Sequence, residues 1–421
     1  MISEDRQRIE QIRRDGVPAG YVRTKAGMMP MDWEIGVKAK DVFRNSSVKH
    51  QGKDLTVLSA TQDRGIVPRS EVDIDIKYDE GNIDSYKKVE KGDFVISLRS
   101  FQGGIELSNH EGVVSPAYTI LKNKKPIDIG YYKTYFKTTD FINRLNSAVY
   151  GIRDGKQIGY EDFGDLIIHY PPLEEQKKIA QILDACDRVI ELKQKLVDEL
   201  KKLKKACLAK MFPQEGETVP KIRFPGFSAP WEQRKVGELL IERNEYAPKS
   251  KEYPLMAFIA NEGIAEKGER YDRSALINDA ENKLYKRTEL GDFIYSSNNL
   301  EAGSIGFNKY GKASISPVYS IFFFFFLVDS RFIGHRLVRK DFIHRMIKWR
   351  QGVVYGQWKI HESDFLKMDV FIPSVEEQRI IGAFLDRLDC LINLYQRKIE
   401  LEQKKKKALM QLLLTGIIRV R

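Results

Sequence analysis

Few residues of the sequence have the type and spacing that a catalytic or metal site requires. Asp75-Ile76-Lys77 fits the D-x-K half of a metal-dependent nuclease, and Asp63 is the candidate for the further carboxylate that such a site needs. The histidines show no H-E-x-x-H motif and no paired spacing. The sequence also lacks the phosphate-binding loop G-x-x-x-x-G-K-S/T and the nucleophile elbow G-x-S-x-G. These patterns predict a chain without a catalytic residue, a metal or a cofactor of its own.

The charge balance favours a polyanionic partner. Among 421 residues, 70 Lys and Arg stand against 59 Asp and Glu, which gives a formal net charge of +11. Neutralising phosphates releases their condensed counterions, so a basic protein is suited to nucleic acid. The three cysteines are widely spaced and form no C-x-x-C pair, and the first residues contain no apolar signal segment. We therefore expect a cytoplasmic protein with no membrane contact.

The chain is a tandem repeat whose period is close to half its length. Short matches occur in the same order in both halves: Trp33-Glu34 with Trp231-Glu232, Gly92-Asp93-Phe94 with Gly291-Asp292-Phe293, Ser115-Pro116 with Ser316-Pro317, and Glu174-Glu175-Gln176 with Glu376-Glu377-Gln378. The offset drifts only from 198 at Trp33 to 202 at Gln176. Between the matches the copies differ strongly, which is typical of two modules that share a scaffold and read different targets.

Each copy is predicted to begin with a β-rich part of roughly 140 residues. Short strands are expected at 55–58, 93–98, 118–121, 255–259, 292–295 and 319–328, and short helices at 139–148 and 339–350. The run 321–328 contains five consecutive phenylalanines and is predicted to be a strand buried on both faces.

A long helix is predicted to follow each β-rich part, over 174–212 and 376–415. Their heptad-like apolar spacing indicates a coiled-coil seam, formed by Leu183, Cys186, Ile190, Val197 and Leu200 in the first and by Leu385, Leu388, Ile392, Tyr395 and Ile399 in the second. Two such helices would pack together as a rigid spacer. An amphipathic hairpin with no role beyond folding stays open as the alternative.

These patterns predict an α+β fold in which two β-rich modules are separated by two long helices, with pseudo-twofold repetition. The expected divisions are an N-terminal extension at 1–30, a first recognition domain at 31–172, a first spacer helix at 173–213, a second recognition domain at 214–372 and a second spacer helix at 373–421.

The motifs resemble those of the specificity subunit of type I DNA restriction-modification systems over nearly the whole chain. The most specific segments are 171–179, which reads PPLEEQKKI, its copy at 373–381, and Ile222-Arg223-Phe224-Pro225-Gly226-Phe227 ahead of Trp231. This sequence departs from the family pattern at Ser374-Val375, where Pro-Leu is usual. It departs again at the N-terminus, where residues 20–34 replace the Arg-Phe-Pro-Gly-Phe form.

The resemblance implies two target-recognition domains that each read one half of a split DNA site. It implies that the long helices form an antiparallel coiled coil, set the gap between half-sites and dock two methyltransferase subunits. Those partners would carry S-adenosylmethionine and methylate adenine. Two motor-nuclease subunits would add ATP- and Mg²⁺-dependent translocation and cleavage. All these cofactors belong to the partners.

Base-reading residues are expected on polar loops where the copies differ, because Arg, Lys, Asn, Gln and Ser can bond base edges. The candidates are Gln62, Arg64, Arg99, Ser100, Gln102, Lys156 and Gln157 in the first copy, and Asn261, Asn298, Asn299, Gln351, Gln357 and Lys359 in the second. For each, a phosphate contact or a solvated loop stays open. Packing in the core is kept open for Trp349 and Trp358.

The methyltransferase contact is expected at the start of each long helix and along a second apolar stripe of the first. The candidates are Glu174, Glu175, Gln176, Ile179, Ile182, Val189, Leu196, Leu203, Glu376, Glu377, Gln378 and Ile381. For the two Glu-Glu-Gln segments, helix capping is an alternative.

Two other functional classes stay open from the residues alone. A stand-alone metal-dependent nuclease would be active in magnesium without partners. A coiled-coil protein scaffold would lack salt-dependent binding to duplex DNA.

Overall fold

In the computed structural model of the chain, the described residues are 3–25, 27–49, 55–61, 64–72, 85–98, 100–148, 158–214, 216–260, 263–266, 283–325, 328–352 and 358–420. The chain divides into two units. The first unit comprises Met1–Lys193 together with Lys398–Arg421, and the second comprises Gln194–Arg397.

The first unit holds the N-terminal copy of the repeat. Its helices are α1 (Ser3–Arg13), α2 (Ala39–Val42), α3 (Ser100–Gly103), α4 (Ile129–Tyr135), α5 (Thr139–Ala148), α6 (Tyr160–Gly164) and the start of α7 (Leu173–Lys210). Its strands are β1 (Tyr21–Thr24), β2 (Gly27–Pro30), β3 (Phe43–Ser46), β4 (Leu58–Thr61), β5 (Gly65–Pro68), β6 (Lys87–Val89), β7 (Phe94–Ile96), β8 (Glu106–Leu107), β9 (Gly112–Val114) and β10 (Thr119–Asn123).

The second unit holds the other copy. Its strands are β11 (Glu232–Lys235), β12 (Leu240–Glu242), β13 (Tyr246–Ala247), β14 (Ala257–Ile259), β15 (Gly263–Ala265), β16 (Tyr285–Thr288), β17 (Phe293–Tyr295), β18 (Ile305–Phe307), β19 (Ala313–Ile315), β20 (Ser320–Phe324), β21 (Gln351–Gly352), β22 (Trp358–Lys359) and β23 (Asp369–Ile372). Its helices are α8 (Ser330–Leu337), α9 (Lys340–Ile347), α10 (Glu362–Leu366) and most of α11 (Val375–Leu414).

The two units share one sheet topology. The first has an antiparallel sheet in the order β3-β10-β7-β8, and the second has the corresponding order β12-β20-β17-β18. The hairpin β4–β5 corresponds to β14–β15, and the pair β6–β9 to β16–β19. The same topology in both halves confirms the tandem repeat and the α+β class.

The repeated Gly-Asp-Phe motif makes the turn that leads into the central strand of each sheet. Gly92 and Gly291 have φ values of 97° and 89°, which favour glycine. The carboxylate of Asp93 accepts a bond from the backbone N–H of Glu90 at 2.8 Å, and Asp292 does the same for Glu289 at 2.7 Å. Burial raises the pKa of Asp292 despite its contact with a nearby arginine. The motif is therefore a structural device of the sheet.

Aromatic side chains fill much of the core of the first unit. Phe43, Phe94 and Phe136 are almost completely buried, and Phe94 and Phe136 meet edge to face with ring centroids 5.1 Å apart. Edge-to-face geometry brings the positive ring edge against the negative face of the neighbour. This core supports the sheet from which the polar loops emerge.

The phenylalanine run follows the prediction only in its first part. Ile321 and Phe322 are fully buried in β20, but Phe325 is 40% exposed after the strand ends. Phe323 is half-buried beneath the guanidinium of Arg243, 5.2 Å from its ring centroid. The predicted strand buried on both faces is thus corrected to a shorter strand whose end is amphipathic. Residues 326–327 lie outside the described residues.

Helices α7 and α11 pair antiparallel inside each unit. In the first unit, Asp187 meets Lys406 at 2.6 Å and Lys193 meets Glu402 at 2.8 Å, so positions rise in one helix as they fall in the other. In the second unit, the later part of α7 meets the earlier part of α11. The seam residues Leu183, Val197, Leu385, Leu388, Ile392 and Ile399 are all buried. The antiparallel coiled coil is confirmed.

The N-terminal segment bonds to the end of the chain within the first unit. The guanidinium of Arg8 donates to the carbonyl of Ile417 at 2.6 Å, and the hydroxyl of Tyr21 donates to that of Gly416 at 2.6 Å. Gly416 has a φ of 68°, and an added Cβ would lie 2.5 Å from Pro30. Residues 1–30, predicted as an extension, therefore contribute to the packing of this unit.

Candidate nucleic-acid interface

In the second unit, hydrogen bonds join the loop after β17 to the segment that contains β22. The loop after this strand holds Asn298, whose Oδ1 accepts a hydrogen bond from the backbone N–H of Trp358 at 2.7 Å. The Ser297 hydroxyl accepts a bond from the backbone N–H of Ile360 at 3.0 Å. Ile360 is fully buried, so β22 is anchored to the core at one end. Residues about 60 positions apart in the sequence thus form one local surface.

An ion pair strengthens the same arrangement. Nη1 of Arg350 lies 3.0 Å from Oε2 of Glu301, and the arginine side chain is only 10% exposed. Arg350 directly precedes β21, and Glu301 belongs to the loop that carries Asn298. Because Glu301 is well exposed, the pair adds little stability by itself. Its effect is to restrict the loop relative to the hairpin β21–β22.

Four predicted base-reading residues meet on this surface, and all four are exposed: Asn298, Asn299, Gln351 and Lys359. We call them the second-unit cluster. Gln351 pairs with Lys359 across the hairpin, and Nζ of Lys359 lies 3.9 Å from Glu362. Amide and ammonium groups can bond base edges and phosphates. Asn261 and Gln357 lie outside the described residues.

The first unit presents fewer described candidates. Arg64 is exposed at the β4–β5 turn, where its guanidinium donates to the carbonyl of Glu71 at 3.0 Å. Gln102 is exposed on α3. Ser100 is 1% exposed, and its hydroxyl accepts a bond from the backbone N–H of Ser97 at 2.9 Å. This burial corrects the predicted base-reading role of Ser100 to a turn-forming one.

The remaining candidates of the first copy, Gln62, Arg99, Lys156 and Gln157, lie outside the described residues. The same holds for Asp63, Asp75 and Lys77 of the nuclease alternative.

Two tryptophans of the second unit are surface residues. Trp349 is 43% exposed and Trp358 is 51% exposed. This exposure excludes packing in the core, which the sequence had left open for both tryptophans. Exposure of a large aromatic ring costs hydration free energy unless a partner covers it. Trp358 adjoins the second-unit cluster through its bond to Asn298.

The first Glu-Glu-Gln segment holds the start of α7 in the first unit through hydrogen bonds of buried side chains. Glu175 is 6% exposed and accepts bonds from Nε1 of Trp33 at 2.9 Å and from Nε of Arg419 at 2.7 Å. The bond to Glu175 helps to raise the pKa of the Arg419 guanidinium. Gln176 is fully buried, and its Oε1 accepts a bond from the backbone N–H of Asp128 at 2.9 Å. The segment thus joins α7 to the start of α4.

The second Glu-Glu-Gln segment repeats this arrangement. Glu377 is fully buried and accepts two bonds from the Arg223 guanidinium, both at 2.7 Å. The bond to Glu377 raises the pKa of Arg223. Gln378 accepts a bond from the backbone N–H of Asp329 at 3.1 Å. An added Cβ on Gly382 would lie 2.7 Å from Asp329, so this close helix contact needs glycine.

These contacts correct part of the predicted methyltransferase surface. Glu175, Gln176, Ile179, Glu377, Gln378 and Ile381 are buried within their own units and offer no side-chain surface to a partner. Glu174 and Glu376 stay exposed at the helix starts. The arginine partners were not among the predicted site residues. A signal existed, because Ile418-Arg419 at the end of the chain repeats Ile222-Arg223.

The predicted apolar stripe of α7 is largely exposed. In the first unit Val189 is 41% exposed, and Leu192, which was not predicted, is 65% exposed. In the second unit Leu196 is 39% and Leu203 is 48% exposed. Ile182 is half-buried and packs against the core of the first unit. Exposed leucine and valine at heptad spacing are typical of a helix face that a partner covers.

Among the described residues, one group could hold a metal ion: His335, Asp386 and Asp389. Nε2 of His335 lies 2.9 Å from Asp386, and Asp389 lies 2.5 Å from the ammonium of Lys204. Burial opposes ionisation of Asp386, but the bond to His335 lowers the pKa of this carboxyl on balance. His335 and the ammonium of Lys204 already bond these carboxylates, so the group is explained by polar contacts within the second unit.

Comparison with known proteins agrees with the repeated architecture. A family model described as "Type I restriction modification DNA specificity domain" matches residues 32–202. A Methanocaldococcus jannaschii protein named as the MjaX specificity subunit of a type I restriction enzyme is 26% identical, over 95% of this chain and 97% of that protein. The MjaVIII specificity subunit from the same organism is also 26% identical, over 79% of this chain and 80% of its own length.

Solved structures show the same fold. The S subunit of a type I restriction-modification system from M. genitalium superposes with a TM-score of 0.54 at 14% identity, and the match covers 91% of this chain and 96% of that one. A chain from a structure of type I restriction-modification complex assembly gives a TM-score of 0.51 at 14% identity, over 96% and 99% of the two chains. Taken with the two repeated units and their exposed polar loops, these matches show that the chain is similar to type I restriction-modification DNA specificity subunits in sequence and to S subunits in fold.

Proposed function

We propose that this chain recognises a split site in double-stranded DNA and directs adenine methylation, and cleavage where a nuclease partner is present. The observation that carries the proposal is the pair of units with one sheet topology and different loops. Because the strands agree and the loops differ, each unit presents a separate reading surface on a common scaffold. The chain is the non-catalytic recognition component of this assembly.

In this proposal the second-unit cluster contacts the half-site of the second unit. Arg64 and Gln102 contribute to the half-site of the first. Asn and Gln can bond adenine in the major groove, whereas Arg and Lys bond guanine or phosphate. The candidates outside the described residues stay predictions for the same surfaces.

The same proposal includes the partner subunits that would bind this chain. Two methyltransferase subunits, which supply S-adenosylmethionine, dock on the exposed apolar residues of α7 and on Glu174 and Glu376. Two motor-nuclease subunits bring ATP and Mg²⁺ chemistry. The division into recognition domains at 31–172 and 214–372, with spacer helices at 173–213 and 373–421, belongs to this proposal. A cytoplasmic location does too.

Within the described ranges, no helix has both the length and the apolar character needed to cross a bilayer.

The test is the genome-wide pattern of adenine methylation in a host without other methyltransferases. The chain is co-expressed with the methyltransferase subunit that it is proposed to bind. We expect a split motif, with two short specified blocks around a fixed unspecified gap. Expression of the methyltransferase subunit alone is the control and should leave the motif unmodified. A complex that forms but methylates a continuous motif, or none, contradicts the proposal.

The long helices are proposed to set the gap. Seven residues are inserted after Lys193 of α7, and seven more are inserted after Leu401 of α11. Because the two helices are antiparallel, Lys193 still lies opposite Glu402 in this variant. Seven helical residues add about 10 Å, and at 3.4 Å per base pair the gap should grow by about three base pairs. The same methylation assay measures it. Insertion into α7 alone is the control and should abolish methylation because the helix register is lost. A double-insertion complex that kept the original gap would exclude the spacer role.

A further inference from the structure

Trp358 is an exposed aromatic residue on a fixed backbone. It begins β22, and its cross-strand partner in the hairpin is Gly352. Among the residues that the structure describes, none lies within 4 Å of a Cβ added at Gly352. Trp358 as a whole is 51% exposed. The hairpin therefore holds a large apolar side chain with no side chain paired across from it.

The backbone that carries this ring is held by two hydrogen bonds from the loop after β17. The side chain of Asn298 accepts a bond from the N–H of Trp358 at 2.7 Å, and Ser297 accepts one from the N–H of Ile360 at 3.0 Å. Ile360 is fully buried two residues later. A side chain on a pinned backbone loses less conformational entropy on binding than one on a free loop. The position is thus suited to recognition.

The two copies differ at this position although their scaffolds agree. Ile158 is 3% exposed and corresponds to Ile360, at the same offset of 202 that relates Phe163 to Phe365. In this alignment Trp358 stands where the first copy has Lys156. Residues that differ on a shared scaffold are where two modules would read different targets.

We propose that Trp358 reads the 5-methyl group of a thymine in the half-site bound by the second unit; this rests on the proposed function. A two-stranded β-ribbon fits the major groove, where the thymine methyl is the apolar feature of an A·T pair. The adenine of the same or a neighbouring pair offers N6 and N7 to an amide such as that of Asn299. Lys359, next in the strand, is placed for a phosphate contact. The hairpin and the neighbouring loop then combine an apolar contact to thymine with polar contacts to adenine and to phosphate.

The test replaces thymine by deoxyuridine, which removes only the methyl group. Duplexes carrying the split motif found by methylation sequencing are substituted at one thymine at a time, in both half-sites and both strands. Binding of the complex of this chain with its methyltransferase subunit is measured by fluorescence anisotropy at fixed salt. One substitution should weaken binding about fourfold, the effect of removing one buried methyl. W358A and W358K should weaken binding to the thymine duplex and be insensitive to that substitution.

The matched control is Y310A, because Tyr310 is 49% exposed in the same unit and lies after β18, beyond the opposite end of that strand from the Asn298 loop. Y310A should bind like the parent and keep the fourfold difference. Thermal unfolding checks that each variant is folded. The inference is overturned if no uridine substitution matters, if W358A and W358K keep the difference, or if they lose the methyltransferase subunit instead. Failure of the parent complex to bind any split motif would refute the proposed function as well.

Discussion

Replacing Glu377 by alanine is expected to lower the free energy of unfolding of the second unit by about 3–5 kcal/mol, because it leaves a largely buried guanidinium without its carboxylate. Glu377 is fully buried and receives both bonds of Arg223, whose side chain is 12% exposed. A loss of this size corresponds to a decrease in melting temperature on the order of 10 °C for a unit of about 200 residues. Hydrogen exchange followed by mass spectrometry measures the loss separately in each unit.

The control is Glu376→Ala, one residue earlier on the same helix. Glu376 is exposed, so its removal should leave exchange in the second unit unchanged. Exchange in the first unit should be unaffected by either variant. Equal effects of the two substitutions would mean that the Arg223 contact contributes no net stability.

Ending the chain at Thr415 is expected to destabilise the first unit and leave the second unit intact. The deletion removes Arg419, which bonds Glu175 and also meets Asp32 at 2.7 Å. It also removes the carbonyl groups that accept bonds from Tyr21 and Arg8. Leaving Glu175 buried beside Trp33 without a cation costs about 3–5 kcal/mol. Exchange should rise in residues 1–193 and stay unchanged in 216–397.

A single substitution separates the arginine from the rest of the segment. Arg419→Lys keeps the positive charge but cannot bond two carboxylates with one planar group, so its loss should be intermediate. If the truncated chain exchanged like the parent, the segment would be a loose tail. If Arg419→Lys equalled the truncation, the forked geometry would account for the whole effect.

The sequence predicts the helices, whose apolar residues recur with a clear period, better than the strands, whose limits depend on their pairing partners. Helix α5 occupies the predicted 139–148, and α7 and α11 begin one residue before the predicted starts. The strand expected at 55–58 instead begins at Leu58, because the turn at Gly65 sets the register of β4 against β5. In short strands the register depends on the partner strand, which local composition does not reveal.

The candidate site shows the same limit. Polar loop residues could be selected from the sequence, and four of them meet in the second-unit cluster. Ser100 and Gln102 could not be told apart, because only the fold buries the Ser100 hydroxyl against Ser97. The Glu-Glu-Gln segments carry a family signature, yet their buried partners come from distant parts of the chain. In the Glu-Glu-Gln segments, the recognisable motif therefore reflects the packing of buried side chains within each unit.

The bond between Arg419 and Glu175 has a consequence for the order in which the protein matures on the ribosome. Residues 194–397 form one uninterrupted stretch, so the second unit has all its parts while synthesis continues. The first unit is begun earlier but lacks part of its residues until 398–421 have been added. Domains generally fold as units once their residues are available. The nascent chain thus acquires every residue of the second unit before the first unit has all of its own, and a product that ends before Arg419 lacks the arginine that bonds Glu175.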